Sequence, residues 1–164
     1  VEDVMTEPVS LPQRPGPRPA TTPTNPHTQL DQQPADDSIR ERLAQRVFAL
    51  PDVEERPTRI SVPGARALWL RDGVPAGPPT AFMIEREFAH LHPGRDQSLH
   101  AALPPDLAQA AIEAGWAELH PVARMGLIPP STVMLYAPRD EEELDVVYAL
   151  VAASYRFAGG RLPS

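Results

Sequence analysis

Side-chain type alternates on both flanks of one short, turn-rich loop, and this pattern constrains the fold more than any other feature of the chain. Residues 85–103 read Glu-Arg-Glu-Phe-Ala-His-Leu-His-Pro-Gly-Arg-Asp-Gln-Ser-Leu-His-Ala-Ala-Leu. Residues 88–92 and 98–102 alternate, while 93–97 are rich in turn formers, which predicts a β-hairpin. A symmetric closure of that loop sets His92 opposite Ser98, His90 opposite His100 and Phe88 opposite Ala102, with Leu91 and Leu99 paired on the other face. A slip by one residue would mix the two faces, so the segregation itself selects the register. Three of the chain's five histidines then share one side of the hairpin.

Three imidazoles on one face repel one another when protonated and gain little from packing, which favours a functional pocket over a polar surface. One reading is a metal site. His90-x-His92 followed by Asp96 faintly matches the cupin pattern, and His90, His92 and His100 would supply three nitrogens to Fe, Mn or Zn. The longer glycine-framed strand and the later histidine of a cupin are absent. Glu85 and Glu87 are placed to fix histidine tautomers or to lie on a solvated edge. Another reading is a non-catalytic small-molecule binding module, with Trp69, Trp116, Phe88 and Tyr136 lining an aromatic pocket, although each also fits a core position. Nucleophilic hydrolysis is disfavoured, since cysteine is missing and no Gly-x-Ser-x-Gly frames Ser61, Ser98 or Ser131.

The rest of the chain bounds these readings. Eight prolines fall in residues 1–35, a stretch with no aromatic residue and no apolar periodicity, so it is expected to be a disordered N-terminal tail. The remaining residues suffice for one domain, 36–160, with 161–164 as a C-terminal tail. A net charge of −7, with no Lys/Arg cluster, argues against a nucleic-acid partner. The first residues lack a basic and then apolar leader, and no apolar run reaches the ~18–20 residues of a membrane span. No membrane association is therefore expected, and the absence of cysteine is compatible with a cytoplasmic location.

Helical spacing of Ile39, Leu43 and Val47 after a Ser38–Glu41 capping box predicts a helix ended by Pro51. Residues 58–62 and 66–70 are expected to pair through Pro63-Gly64, and residues 80–84 to form a further strand. A helix follows Pro104-Pro105 and stops at Gly115, a short extended segment carries His120, and residues 132–137 form a strand. Asp140 caps a last helix, with Glu141–Glu143 at the positive end of its dipole, and Gly159-Gly160 terminates it. The order predicts an α+β domain: a mostly antiparallel sheet with helices packed on one side.

Taken together, Arg86-Glu-Phe-Ala-His-Leu-His-Pro93, Ser98-Leu-His100, Gly115-Trp116, His120-Pro121 and Tyr136-Ala-Pro-Arg139 resemble the luciferase-like domain of fungal luciferases and of bacterial proteins, over residues 57–157. Fungal luciferases oxidise 3-hydroxyhispidin, a polyphenolic pyrone, with dioxygen and no organic cofactor. The resemblance implies an oxidoreductase of monooxygenase type without a cofactor, acting on a small-molecule substrate and O2. His90, His92, His100 and His120 would be its catalytic residues, and Arg86, Phe88, Trp116, Tyr136 and Arg139 its substrate-binding residues. In that chemistry a neutral imidazole removes an enolic proton, and a second imidazole or Arg86 stabilises the anionic peroxide. The short proline-rich N-terminus and the lack of a membrane-anchoring helix depart from the luciferases.

Overall fold

The computed structural model describes residues 11–58 and 60–162. In chain order the elements are α1 (Ser38–Phe48), β1 (Val53–Pro57), β2 (Arg66–Leu70), a 3-10 turn (Pro79–Ala81), β3 (Glu87–Leu91), β4 (Leu99–Ala102), α2 (Pro105–Glu113), β5 (Ala117–Leu119), α3 (Pro121–Arg124), β6 (Thr132–Leu135) and α4 (Glu141–Ala158). The fold is α+β, as expected: one six-stranded sheet in the order β1-β2-β3-β4-β6-β5, every neighbour antiparallel. Helix α4 lies across β3 and β4, α1 packs on α4, and α2 packs beside β5.

The central hairpin has the register that its alternation selects. Ala89 pairs with Ala101, His90 with His100 and Leu91 with Leu99. The backbone N–H of His92 donates to the carbonyl of Ser98 at 3.2 Å. One residue departs from the simple alternation. Between β2 and β3 the pairing passes from Leu68–Ala89 to Trp69–Glu87, so Phe88 is an extra, bulged residue. A bulge resets which face the following side chains take. Phe88 therefore turns toward the helices, 6.2 Å from the Tyr155 ring, and Glu87 turns to the histidine side.

Helix α4 anchors the opposite face. The Asp140 carboxylate accepts from the Glu143 N–H at 2.9 Å, and Glu141–Glu143 fill the first turn as the dipole favours. Leu144, Val147, Val151 and Tyr155 are fully buried, each worth about 1.5–3 kcal/mol relative to exposure. The helix stops at Gly159, whose φ of +114° and whose approach to the Pro75 carbonyl, 2.4 Å from any added Cβ, exclude other residues.

Three expectations are corrected. The partner of β2 is Val53–Pro57 and not residues 58–62; β1 is an edge strand whose Glu55 takes a bidentate bond from Arg66 (2.7 and 2.9 Å), and its charged composition conceals it. Residues 80–84 form no strand, only the 3-10 turn and an isolated bridge from Ile84 to Glu87. Disorder up to Ala35 does not hold for residues 11–35, and residues 1–10 lie outside the described residues. Thr21 and Gln29 bridge as a small hairpin, and Arg14, His27 and Gln29 are buried against the domain. The segment has no core of its own, but its polar groups meet complementary ones. Arg14 N–H donates to Ala114 O (2.9 Å), Arg18 to Ala117 O (2.7 Å), and Gln29 Oε1 accepts from the Ala137 N–H (2.8 Å). Its prolines also lower the entropy lost on docking.

Candidate functional site

All five histidines converge on the sheet face that α4 leaves uncovered, and all are buried, between 2% and 8% exposed. Strand β3 and its extension bring His90 and His92, β4 brings His100, and the β5–α3 junction brings His120. His27 comes from the N-terminal segment. The five rings, with Ile60–Val62 and residues 25–28, line a cavity of about 250 Å3.

The partners of each ring nitrogen assign its tautomer. His90 Nδ1 lies 2.8 Å from Glu87 Oε2, an acceptor, which puts the proton on Nδ1 and a lone pair on Nε2. His92 Nδ1 donates to Ser98 Oγ at 3.0 Å, and that hydroxyl donates in turn to Asp96 Oδ1 at 2.6 Å, so His92 Nε2 also carries a lone pair. Asp96 Oδ2 sits 3.1 Å from the same Nδ1 but off the hydrogen-bond line, which is why Ser98 is taken as the acceptor. Both lone-pair nitrogens face His100 Nδ1, at 3.1 Å from His90 and 3.0 Å from His92.

On its other side His100 Nε2 lies 3.0 Å from His27 Nδ1, and His27 Nε2 lies 2.7 Å from Glu118 Oε2. Glu118 also accepts from Thr21 Oγ1 and Tyr136 Oη, both at 2.8 Å. His120 has the opposite polarity to His90 and His92. Its Nδ1 caps α3 by accepting the Val122 N–H at 3.0 Å, so the neutral ring carries its proton on Nε2.

Burial sets the charge of these groups. It pushes the His100 imidazole well below its ordinary range, helped by the neighbouring rings, and lowers His90 against the opposing pull of Glu87. Burial, with the charges of His27, His90 and His92, lowers His120 to about 4. For Asp96 and Glu118 burial acts upward, but the nearby His92 ring and the Ser98 hydroxyl and N–H donors at the first, and the donors from His27, Thr21 and Tyr136 to the second, hold both below the usual carboxylate range. Burial pushes the Tyr136 hydroxyl up to about 12. Burial thus favours the neutral ring at His90, His100 and His120, with the Asp96 and Glu118 carboxylates behind the cluster.

The structure brings His90, His92, His100 and His120 together, while the five residues expected to bind substrate have other partners. Arg86 clamps the carbonyls of Leu70, Arg71 and Val74 (2.9, 2.9 and 2.7 Å). Phe88 is in the helix-side core because of the bulge. Trp116 Nε1 donates to Pro12 O at 2.7 Å, Tyr136 accepts from Arg18 at 3.3 Å, and Arg139 donates to Pro15 O at 3.0 Å and Gln32 Oε1 at 3.2 Å. These last three hold the N-terminal segment, and so hold His27, in place. The residue that sequence reasoning missed is His27 itself, since nothing local in a Pro/Thr-rich stretch marks it. The one available signal was that it is the fifth histidine of a chain whose other four converge.

Fold and site define the class: an α+β domain with a buried histidine cluster on one face of its sheet. Residues 85–154, less than half of the chain, match the family described as Luciferase domain, so this stretch resembles a luciferase-like domain. Proteins named luciferase from Armillaria gallica and Armillaria mellea are each 35% identical over 160 residues, covering 88% of this chain and 59% of their own. The luciferase of Neonothopanus nambi is 37% identical over 99 residues, 55% of this chain and 37% of its own. The chain therefore spans less than two thirds of the length of these relatives. All of them are fungal and lend no support to a bacterial source. The Armillaria match leaves about 12% of the 164 residues outside, so it takes in position 27. No solved structure matches. Among the described residues no helix is long and apolar enough to cross a membrane.

Proposed function

We propose that the histidine pocket binds an enolisable, largely planar small molecule and presents it to dioxygen, an oxygenase-type activity. One observation carries this reading: opposite hydrogen-bonding roles meet around a single cavity, with lone pairs on His90 and His92 Nε2 and an N–H on His120 Nε2. A lone-pair imidazole takes the enolic proton. The enolate carbon then forms a C–O bond to dioxygen, its electron pair reducing O2 to the peroxide level and leaving the negative charge on the distal oxygen. The N–H of the buried His120 ring stabilises that charge. Similarity to proteins named luciferase supports the class of reaction, and the cavity of about 250 Å3 lined by imidazoles suits a small molecule with a proton to give up.

The test is oxygen uptake with a panel of enolisable pyrones and phenols. Turnover should appear with at least one of them, and His120→Ala should lower kcat by about 10²–10³-fold while the far-UV circular dichroism is kept. Tight binding of such compounds without oxygen uptake, by the protein as purified and after loading with divalent metals, would make the domain a binding module instead.

A further inference from the structure

We propose that His90 Nε2, His92 Nε2 and His100 Nδ1 form the three-nitrogen face of a site for one divalent first-row transition metal. This site lies in the pocket of the proposed oxygenase reaction and takes the two Nε2 lone pairs assigned there to proton abstraction, so an ion-loaded protein has no free imidazole base at His90 or His92; the proposal stands or falls on metal binding alone.

The argument is a proton count. The partners of His90 and His92 fix lone pairs on both Nε2 atoms, and both face His100 Nδ1 at 3.1 and 3.0 Å. A proton on His100 Nδ1 can be directed at one of these lone pairs and leaves the other unmatched in a buried site. If the His100 proton instead sits on Nε2, it is donated to His27 Nδ1, whose own ring proton points at Glu118. Every outer nitrogen then has an acceptor, and three lone pairs meet at one place with no proton between them. A cation satisfies all three.

The surroundings fit that occupant. Metal-bound histidines donate their second ring nitrogen to a carboxylate, carbonyl or water, which fixes the ring and raises its basicity. Here each of the three does so: His90 to Glu87, His92 through Ser98 to Asp96, and His100 through His27 to Glu118. The bulge at Phe88 is what turns Glu87 into that role. With metal–nitrogen distances of about 2.1 Å, nitrogens 3.0–3.1 Å apart subtend about 90–95° at a shared ion. At both of these nitrogen pairs the angle is nearer the right angle of an octahedral site, as in Mn, Fe or Co, than the wider angle of a tetrahedral zinc site.

A second group, His27, His100 and His120, is equally compact but has the wrong protons. His120 Nδ1 is engaged as an acceptor of the Val122 N–H, so its free nitrogen bears hydrogen, and His100 Nε2 serves His27. That group is a hydrogen-bonding one, and His120 is a donor beside the ion, not a ligand.

Elemental analysis of the full chain and titration of the chelator-treated protein with Co(II), Mn(II), Fe(II) and Zn(II) test the proposal. One ion per chain should bind, with weak Co(II) absorption of the octahedral kind. His90→Ala and His92→Ala should abolish binding, and Glu87→Gln should weaken it roughly tenfold to a hundredfold. His120→Ala should keep the stoichiometry of one. Because an alanine in the triad can also unfold the domain, the wild-type titration and the His120 variant decide independently. No binding by folded wild type, or loss of the ion in folded His120→Ala comparable to that in His90→Ala, overturns the site. Oxygen uptake by a protein that binds no ion in the titration would overturn the site while leaving the oxygenase reading intact; a bound metal without uptake would do the reverse.

Discussion

The hairpin of β3 and β4 and the segment of residues 11–35 both put histidines into the same cluster, yet they are built in opposite ways. The hairpin is specified locally: alternation and a turn-rich loop fix its register, and ladder pairs such as His90–His100 follow. The N-terminal segment is specified from a distance. Arg14 and Arg18 reach Ala114, Ala117 and Ile112, Trp116 reaches Pro12, and Arg139 reaches Pro15, all about a hundred residues away in sequence. A chain can thus hide part of a site in a stretch that looks structureless, because its partners lie in elements distant in sequence.

The largest effect expected is acid loss of the cluster, in which both regions fail together. His90, His100 and His120 have folded-state values lowered by burial, so between about 6.5 and about 4 the unfolded chain binds more protons than the folded one. Stability then rises with pH in that window and is lost as pH falls through it. Asp96 and Glu118, held below the usual range, act in the same direction at lower pH. Chemical denaturation of metal-free protein at several pH values checks this; a flat profile from pH 7 to 4 would contradict it.

Substitution separates the two regions. Phe88→Ala should cost about 3–5 kcal/mol, since a fully buried ring against Tyr155 is removed. Phe88→Leu should leave ligand affinity unchanged, whereas a residue lining the pocket would alter it. Deleting residues 1–35 should cost about 3 kcal/mol, or roughly 6–12 °C in Tm, from several lost hydrogen bonds of about 1 kcal/mol each and the exposed Trp116 and Tyr136. A near-unchanged Tm would restore the picture of a passive tail. Smaller again is Glu118→Gln, at about 1–2 kcal/mol, measured by thermal melting; it weakens the charge-assisted bond to His27 while keeping the shape.

Much of the fold was legible because its signals are short-range: the hairpin register, the Asp140 cap and the stripe on α4 each follow from residues within a few positions of one another. The edge strand β1 was not, since its alternating burial carries charged rather than apolar outward residues. Of the site, His90, His92 and His100 came from periodicity and His120 from family resemblance alone. Phe88 was misread because a bulge is a property of the β2–β3 pairing, invisible in one strand, and the same bulge hid that Glu87 rather than Phe88 faces the histidines. Trp116, Tyr136 and Arg139 were recognised as a pattern, but their partners are N-terminal residues that no local signal selects.

The protons on the rings are the centre of the account, and two-dimensional 1H–15N NMR of the imidazoles in metal-free protein near pH 7 reads them directly. His90 and His92 should appear as Nδ1–H tautomers and His120 as Nε2–H. Nε2–H on His90 and His92, the form favoured in water, would contradict it, because the lone pairs that define the site would then point away from His100.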